Sequence, residues 1–275
     1  MEEKALTEKT ERGKIEKTGD GDCGMEKERL DSIHGYGIFC ANNLEKGQQK
    51  AIIVCHGFGS SKESPTVQLL NQKFPKYGMG TYSFDFPVHG ESDAPGEALR
   101  IVNCLDDLAV VEARVRRLLP QAEIGYFASS FGAYVVLLYL ALRPHEGRRA
   151  FLRSAAVDMP GIFRRWISEE AERSIAKRGY FLLDYEYTRE IRIYPPFLEE
   201  LAAYSVFDRY QKGTAVLFLI HGEEDDTAPL TDARRFARQA GAKLKVLPGA
   251  GHRLMGEGEP ETVLAYANLF FQAEE

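Results

Sequence analysis

Residues 123–143, EIGYFASSFGAYVVLLYLALR, restrict the fold more than any other stretch of the chain. A short apolar run with aromatic residues breaks at two serines, and a segment apolar on every side follows. The pattern predicts a strand, a tight turn and a helix with no solvent face, which must be covered on all sides. Ser130 occupies the turn, with Ala128 two residues before it and Gly132 two residues after. Where a strand runs straight into a helix, the two pass too close for larger side chains at those flanking positions. The strained turn then holds its serine hydroxyl above the sheet. Ser129 does not meet the condition, because Phe127 and Phe131 would flank it.

The rest of the chain supplies the sheet. AIIVC at 51–55 is a continuous apolar strand of the kind buried on both faces. Further strands are predicted over 80–86, 150–157, 214–220 and 243–247, and helices over 64–76, 98–119, 230–240 and 260–272. Ser64 and Pro65 open the first of these helices, while Pro120 and Gly241 stop the second and third. Strands alternating with helices mean an α/β fold with a mostly parallel, doubly wound sheet. Residues 26–33 and 36–41, parted by His34-Gly35, fit an antiparallel hairpin. Residues 1–22 are charged, with almost nothing to bury, and read as a mobile tail or a weakly attached edge.

The alternation breaks at 160–213. Ile162, Trp166 and Ile175 share one face of a helix running to residue 177. A small hairpin over 179–184 and 189–194 follows, then a helix from Pro195 to Tyr204. This organisation is a cap, 160–213, inserted into a core built from 23–159 and 214–275. An insertion of that length between core strands is more often functional than idle.

Composition narrows the function class. The net charge of −6, with only short basic pairs such as Arg148-Arg149 and Arg164-Arg165, argues against a nucleic-acid partner. Cys23, Cys40, Cys55 and Cys104 are scattered, without CxxC or metal-ligand spacing, which predicts a reduced, cytoplasmic chain. His56, His89 and His221 likewise lack ligand spacing, so no metal is expected. The Lys- and Glu-rich N-terminal stretch has no apolar core and resembles neither a signal peptide nor an anchor. The longest apolar run, 131–142, is shorter than the roughly 20 residues a membrane span needs.

A serine hydroxyl is a weak nucleophile until an adjacent base, oriented by a third group, activates it. The charge that develops on an attacked carbonyl also needs waiting donors. In an α/β sheet these groups belong in loops at the carboxyl ends of strands. The acidic loop HGEEDDTAP offers Asp225, with Glu223, Glu224 and Asp226 as competitors. PGAGHRL, after the last strand, offers His252 as the base. His56-Gly57-Phe58-Gly59 follows the first core strand, so the backbone N–H groups of Phe58 and Phe131 are the candidate oxyanion donors. His56 is expected to brace that loop rather than transfer protons.

Taken together, HGFGSSK, FDFPVHGESD, ASSFGA, HGEEDDTAP and GAGHRL resemble the motifs of the α/β-hydrolase superfamily over residues 25–275. The chain order Ser130, Asp225, His252 is the order of that fold. The HGFxxxK loop and the cap pattern are similar to bacterial serine esterases of the cinnamoyl/feruloyl esterase group, with the serine aminopeptidase-like hydrolases close behind. The resemblance implies Ser130 as nucleophile, His252 as base, Asp225 as its orienting acid and no cofactor. It implies a structural role for His89 and Gly90. Two positions depart from the superfamily pattern: Ala128 stands where Gly is usual, and Ser129 where His or Gln is frequent.

The expected activity is hydrolysis of small to medium acyl or aryl (hydroxycinnamoyl-like) esters through an acyl-enzyme. The expected partner is a small-molecule ester, and a homodimer is compatible with the chain. Candidate substrate contacts are Ser129 and the cap aromatics Phe163, Trp166 and Tyr180, although most cap aromatics are expected to pack the cap onto the sheet. The alternative is an aminopeptidase-like or acyl-peptide amide hydrolase, with Glu169, Glu170, Asp184 or Glu186 holding a substrate amine. A third reading is a non-catalytic binding protein that keeps the fold.

Overall fold

The computed structural model describes residues 15–16, 24–183 and 189–273. The greater part of the charged tail predicted at 1–22 lies outside them, as do Asp184, Tyr185, Glu186 and Tyr187. The chain begins with strands β1 (Ile15–Glu16), β2 (Glu26–Asp31), β3 (Gly37–Asn42) and β4 (Lys50–Cys55). Helix α1 (Pro65–Lys73), β5 (Met79–Phe84), α2 (Ile101–Leu118), β6 (Glu123–Ser129), α3 (Phe131–Leu142) and β7 (Arg149–Arg153) follow. Next come α4 (Met159–Trp166), α5 (Glu169–Arg178), β8 (Phe181–Leu183), β9 (Ile191–Ile193), α6 (Pro195–Ala203) and α7 (Val206–Arg209). The chain closes with β10 (Val216–Gly222), α8 (Leu230–Ala240), β11 (Lys243–Leu247) and α9 (Glu259–Gln272).

The described strands form one large sheet in the order β1-β2-β3-β5-β4-β6-β7-β10-β11, beside a separate β8-β9 pair. β1, β2 and β3 pair antiparallel, β3 meets β5 antiparallel, and every pairing from β5 to β11 is parallel. This is the α/β-hydrolase fold. Along β6 the side chains alternate between two cores. Tyr126 and Ala128 face the side that holds α2 and α3, while Phe127 faces the side that holds α1 and α9. Residues 131–140 of α3 are all buried, as expected of a helix with no polar stripe. Each fully buried Val or Leu there contributes about 1.5–3 kcal/mol.

The registers bring the strand ends to one level. Cys55 pairs with Ala128, Ser129 with Arg153, and Gly222 with Leu247. The loops after β4, β6, β7, β10 and β11 therefore open along one edge of the sheet.

Several element boundaries differ from the sequence reading. The helix predicted to run on to residue 177 is two helices. Asp158 caps α4 through Gly161 N–H, and Ser168 restarts α5 by accepting from Ala171 N–H after an extended Ile167. The strand predicted over 150–157 stops at Arg153, because Ser154 turns to a φ of 47°. α1 ends at Lys73 and tightens into a 3₁₀ turn over Phe74–Tyr77, where Pro75 has no N–H to continue it. β10 runs on to Gly222, so His221 lies in a strand and not in the acidic loop.

The segment between β7 and β10 is fastened to the sheet domain by polar ties. Glu200 of α6 accepts from Arg100 Nε at 2.9 Å and from Ile101 N–H at 2.6 Å, satisfying the N-terminus of α2 from outside. Tyr134 of α3 donates its hydroxyl to Tyr204 O at 2.6 Å.

Candidate active site

The turn between β6 and α3 is strained in the way the flanking residues predict. Ser130 has φ 50° and ψ −113°, a conformation rarely adopted by a residue with a side chain. It is held there by its own N–H, which donates to Arg153 O at 2.9 Å, and by Ala133 and Tyr134 N–H, which both donate to its carbonyl. A Cβ at Gly132 would stand 2.5 Å from the carbonyl oxygens of Cys55 and His56. Backbone cannot yield to such contact, so the helix can enter this close to β4 only with glycine at that position.

His252 Nε2 lies 3.0 Å from Ser130 Oγ. On its other side, His252 Nδ1 lies 2.9 and 2.8 Å from the two carboxylate oxygens of Asp225. A carboxylate only accepts, so Nδ1 carries the proton and Nε2 presents its lone pair to the serine hydroxyl. The loops that hold the two residues are pressed together: a Cβ at Gly222 would sit 2.3 Å from Ala250 O. Of the acidic competitors, Glu223, Glu224 and Asp226 are exposed, whereas Asp225 is buried.

Asp225 also accepts from Thr227 N–H at 3.1 Å and Ala228 N–H at 2.7 Å. Burial works to raise its pKa. Hydrogen bonds from His221 and His252, the charge of His252 and the Ala228 amide outweigh it, and hold the carboxyl well below the usual range. His221 was not anticipated as a partner. Its Nε2 donates to Ala228 O at 2.8 Å and lies 3.2 Å from Asp225 Oδ2. The only signal in the sequence is its position four residues before Asp225.

The loop after β4 meets Ser130 directly. A Cβ at Gly57 would stand 3.5 Å from Ser130 Cβ. His56 Nδ1 donates to Gly57 O at 2.8 Å, and its Nε2 accepts from Phe86 N–H at 3.1 Å. Because the Gly57–Phe58 peptide is planar and trans, pinning Gly57 O toward His56 turns the Phe58 N–H to the opposite side. The Phe58 and Phe131 rings touch edge-to-face with centroids 5.4 Å apart, which sets the two residues side by side. Phe131 is the first residue of α3, where an N–H has no intrahelical partner.

Lys62, at the far end of the same loop, is buried with its ammonium 2.8 Å from Asp85 Oδ2 and bonded to Glu91. Its own N–H donates to Asp85 Oδ1 at 2.8 Å. Burial opposes its charge, but Asp85 and Glu91 more than compensate, so its pKa is raised. Removing Lys62 would leave the buried Asp85 carboxylate without its counter-charge. His89 donates from Nδ1 to Pro87 O at 2.9 Å, and burial together with His56 lowers its pKa to about 3, so it stays neutral beside the Phe131 ring. Among the described residues no group of three His, Cys, Asp or Glu side chains is arranged to hold a metal, and no helix is long and apolar enough to cross a membrane.

The four predicted substrate contacts are placed differently from one another. Phe163 is buried against the Phe58 ring at 5.4 Å and Phe197 at 5.3 Å, with half-buried Trp166 beside it at 5.1 Å. Ser129 is buried at the end of β6, its carbonyl facing Gly57. Tyr180 packs with Tyr194 at 5.4 Å under the Arg192 guanidinium, apart from that cluster. Glu169 is exposed and paired with Arg173, Glu170 is exposed, and Asp184 and Glu186 lie outside the described residues.

A protein-family model described as "Alpha/beta hydrolase family" matches residues 52–266. Among solved structures, Est1E from Butyrivibrio proteoclasticus with ferulic acid bound is similar at a TM-score of 0.73 and 20% identity, covering 89% of this chain and 99% of that one. The alpha/beta hydrolase domain-containing protein 10 from mouse is similar at 0.70 and 16% identity, covering 90% and 98%. An esterase from Pyrococcus furiosus is similar at 0.67 and 18% identity, covering 90% of each chain. At these identities the likeness shows the fold. A comparison with curated proteins finds no match.

Proposed function

Given that the chain belongs to the alpha/beta hydrolase family, we propose that it is a serine carboxylic-ester hydrolase working through an acyl-enzyme. One observation carries this reading: the unbroken hydrogen-bond line from Ser130 Oγ through both nitrogens of His252 to Asp225. In the proposed reaction Ser130 Oγ attacks the ester carbonyl while its proton passes to His252 Nε2. Asp225 holds the Nδ1–H tautomer and stabilises the imidazolium as it forms. The N–H groups of Phe58 and Phe131 receive the oxyanion, each such donor contributing about 3 kcal/mol to the transition state.

Collapse of the tetrahedral intermediate breaks the bond to the alkoxy oxygen, which takes the proton back from Nε2 and leaves as alcohol. Water then repeats the sequence with His252 as base, releasing the acid and restoring Ser130. Nothing in this cycle requires a metal or an organic cofactor.

The proposed substrates are small to medium acyl or aryl esters. The support is chemical: the partly buried rings of Phe58, in the oxyanion loop, and Trp166 rest on a buried aromatic base of Phe163 and Phe197. The similar structure of Est1E has ferulic acid, an aryl acid, bound to it, which supports an aryl acyl group. Turnover of a panel of aryl-acyl, short-chain and long-chain esters by wild type and Ser130→Ala tests both parts. The expected result is fastest turnover of aryl or short esters, lost in the variant. Fastest turnover of long-chain lipid esters contradicts the substrate class, and full activity in Ser130→Ala contradicts the mechanism.

A further inference from the structure

His221 is the next-to-last residue of β10, on the face of the sheet that Leu219 shares with α2, α3 and α8, and it is wholly buried. Its Nε2 is 2.8 Å from Ala228 O, an atom that only accepts, so the ring proton sits on Nε2. The same nitrogen lies 3.2 Å from Asp225 Oδ2. Nδ1 is then a lone pair that meets no hydrogen-bond partner among the described residues. A buried polar atom left unpaired is destabilising, and an apolar ring in its place would carry no such cost. What an apolar ring could not supply is the Nε2–H.

That N–H acts on Asp225 by two routes. Its positive end stands beside Oδ2. It also fastens the carbonyl of Ala228, whose own N–H donates to Asp225 Oδ1 at 2.7 Å beside Thr227 N–H at 3.1 Å. Both routes draw negative charge from a carboxylate whose two oxygens face His252 Nδ1 at 2.9 and 2.8 Å. A carboxylate stabilises an adjacent imidazolium less as its charge is shared among more donors. The other charged or titratable groups that bear on Asp225 are His252 itself, from the loop after β11, and Arg153 of β7, which acts through space. Glu223, Glu224 and Asp226 of the same loop are exposed.

On the serine-hydrolase reading, we infer that His221 is a positioning residue acting through Asp225. It fixes the carboxylate against His252 and tempers its charge, so that the His252 imidazole serves as base at lower pH than Asp225 alone would allow. Two imidazoles thus share one carboxylate, one to transfer the proton and one to hold the acid.

The test uses a fluorophosphonate, whose capture by Ser130 needs His252 as base and does not depend on the identity of the natural ester. The rate of Ser130 adduct formation is followed against pH in wild type, His221→Phe and His221→Gln. His221→Phe keeps a flat ring and removes the donor, and its acid limb should lie about half a pH unit above that of wild type. In His221→Gln the side-chain amide again donates toward Ala228 O and Asp225, and the limb should return to the wild-type position. A packing role alone would slow both variants without moving the limb. A His221→Phe limb at or below that of wild type, or an equal displacement in both variants, overturns the inference. Histidine ¹⁵N spectra of wild type, which need no variant to fold, should show His221 protonated at Nε2 and bare at Nδ1, and the reverse tautomer overturns it as well. Absence of any Ser130 adduct in wild type is a distinct failure, of the hydrolase reading itself, and the role of His221 falls with it.

Discussion

The hydroxyl of Ser154 donates to the carbonyl oxygen of His252 at 2.7 Å, across 98 residues of sequence. Ser154 also turns the chain out of β7 with a φ of 47°, and its N–H donates to Ile220 O at 2.8 Å. One strained residue thus ties the loop of the proposed base to the ends of β7 and β10. A net hydrogen bond of this kind is worth about 1 kcal/mol, so Ser154→Ala should lower kcat about fivefold. KM should hold, because the bond sets the imidazole position and not the substrate. Steady-state kinetics on the preferred ester separate the two constants.

His56 is predicted to act through the Gly57–Phe58 peptide. His56→Ala frees Gly57 O and Phe86 N–H, letting the Phe58 amide turn. The expected loss in kcat is about tenfold to a hundredfold, at or below the effect of deleting a donor outright. An unchanged kcat would mean that the Phe58 amide is held by other contacts.

Much of this was legible in the sequence, and the limits have physical causes. Ser130 could be chosen over Ser129 because flanking bulk is a local property, and Gly132 stands where only hydrogen fits beside Cys55 O. The acidic loop was ambiguous because burial, which separates Asp225 from Glu223, Glu224 and Asp226, depends on the packing of the His252 loop across the sheet edge. Ser154 and His221 left almost no trace, since their partners are set by tertiary approach and not by spacing. The break at Ile167-Ser168 was missed because an apolar face continues across it, and the capping serine decided the matter.

Asp225→Asn should lower kcat by about 10⁴, since an amide favours the wrong imidazole tautomer. The pH behaviour of stability follows from its depressed pKa. A carboxyl whose pKa falls on folding contributes stability that is present above its unfolded value of 3.8 and is lost as pH falls below it. Wild type should therefore lose Tm on acidification below that value more steeply than Asp225→Asn. Parallel curves for the two proteins would contradict the assigned environment.

Asp107 should give the opposite slope. Burial raises its pKa from 3.8 to about 6, despite hydrogen bonds from Ser32 Oγ at 2.5 Å and Tyr36 OH at 2.8 Å that tie the β2–β3 hairpin to α2. A group whose pKa rises on folding contributes stability that is full below its unfolded value and is lost as pH rises through the folded one. Wild type should lose Tm between those two values of pH, and Asp107→Asn should flatten that part of the curve. Thermal melts across the interval check it.

The most direct measurement is covalent. The protein is treated with a fluorophosphonate, which phosphonylates an activated serine, and the adduct is located by peptide mass spectrometry. The expected result is one adduct, on Ser130, that disappears in Ser130→Ala and forms far more slowly in His252→Ala. An adduct on Ser129, or none on the intact protein, would contradict Ser130 as the nucleophile.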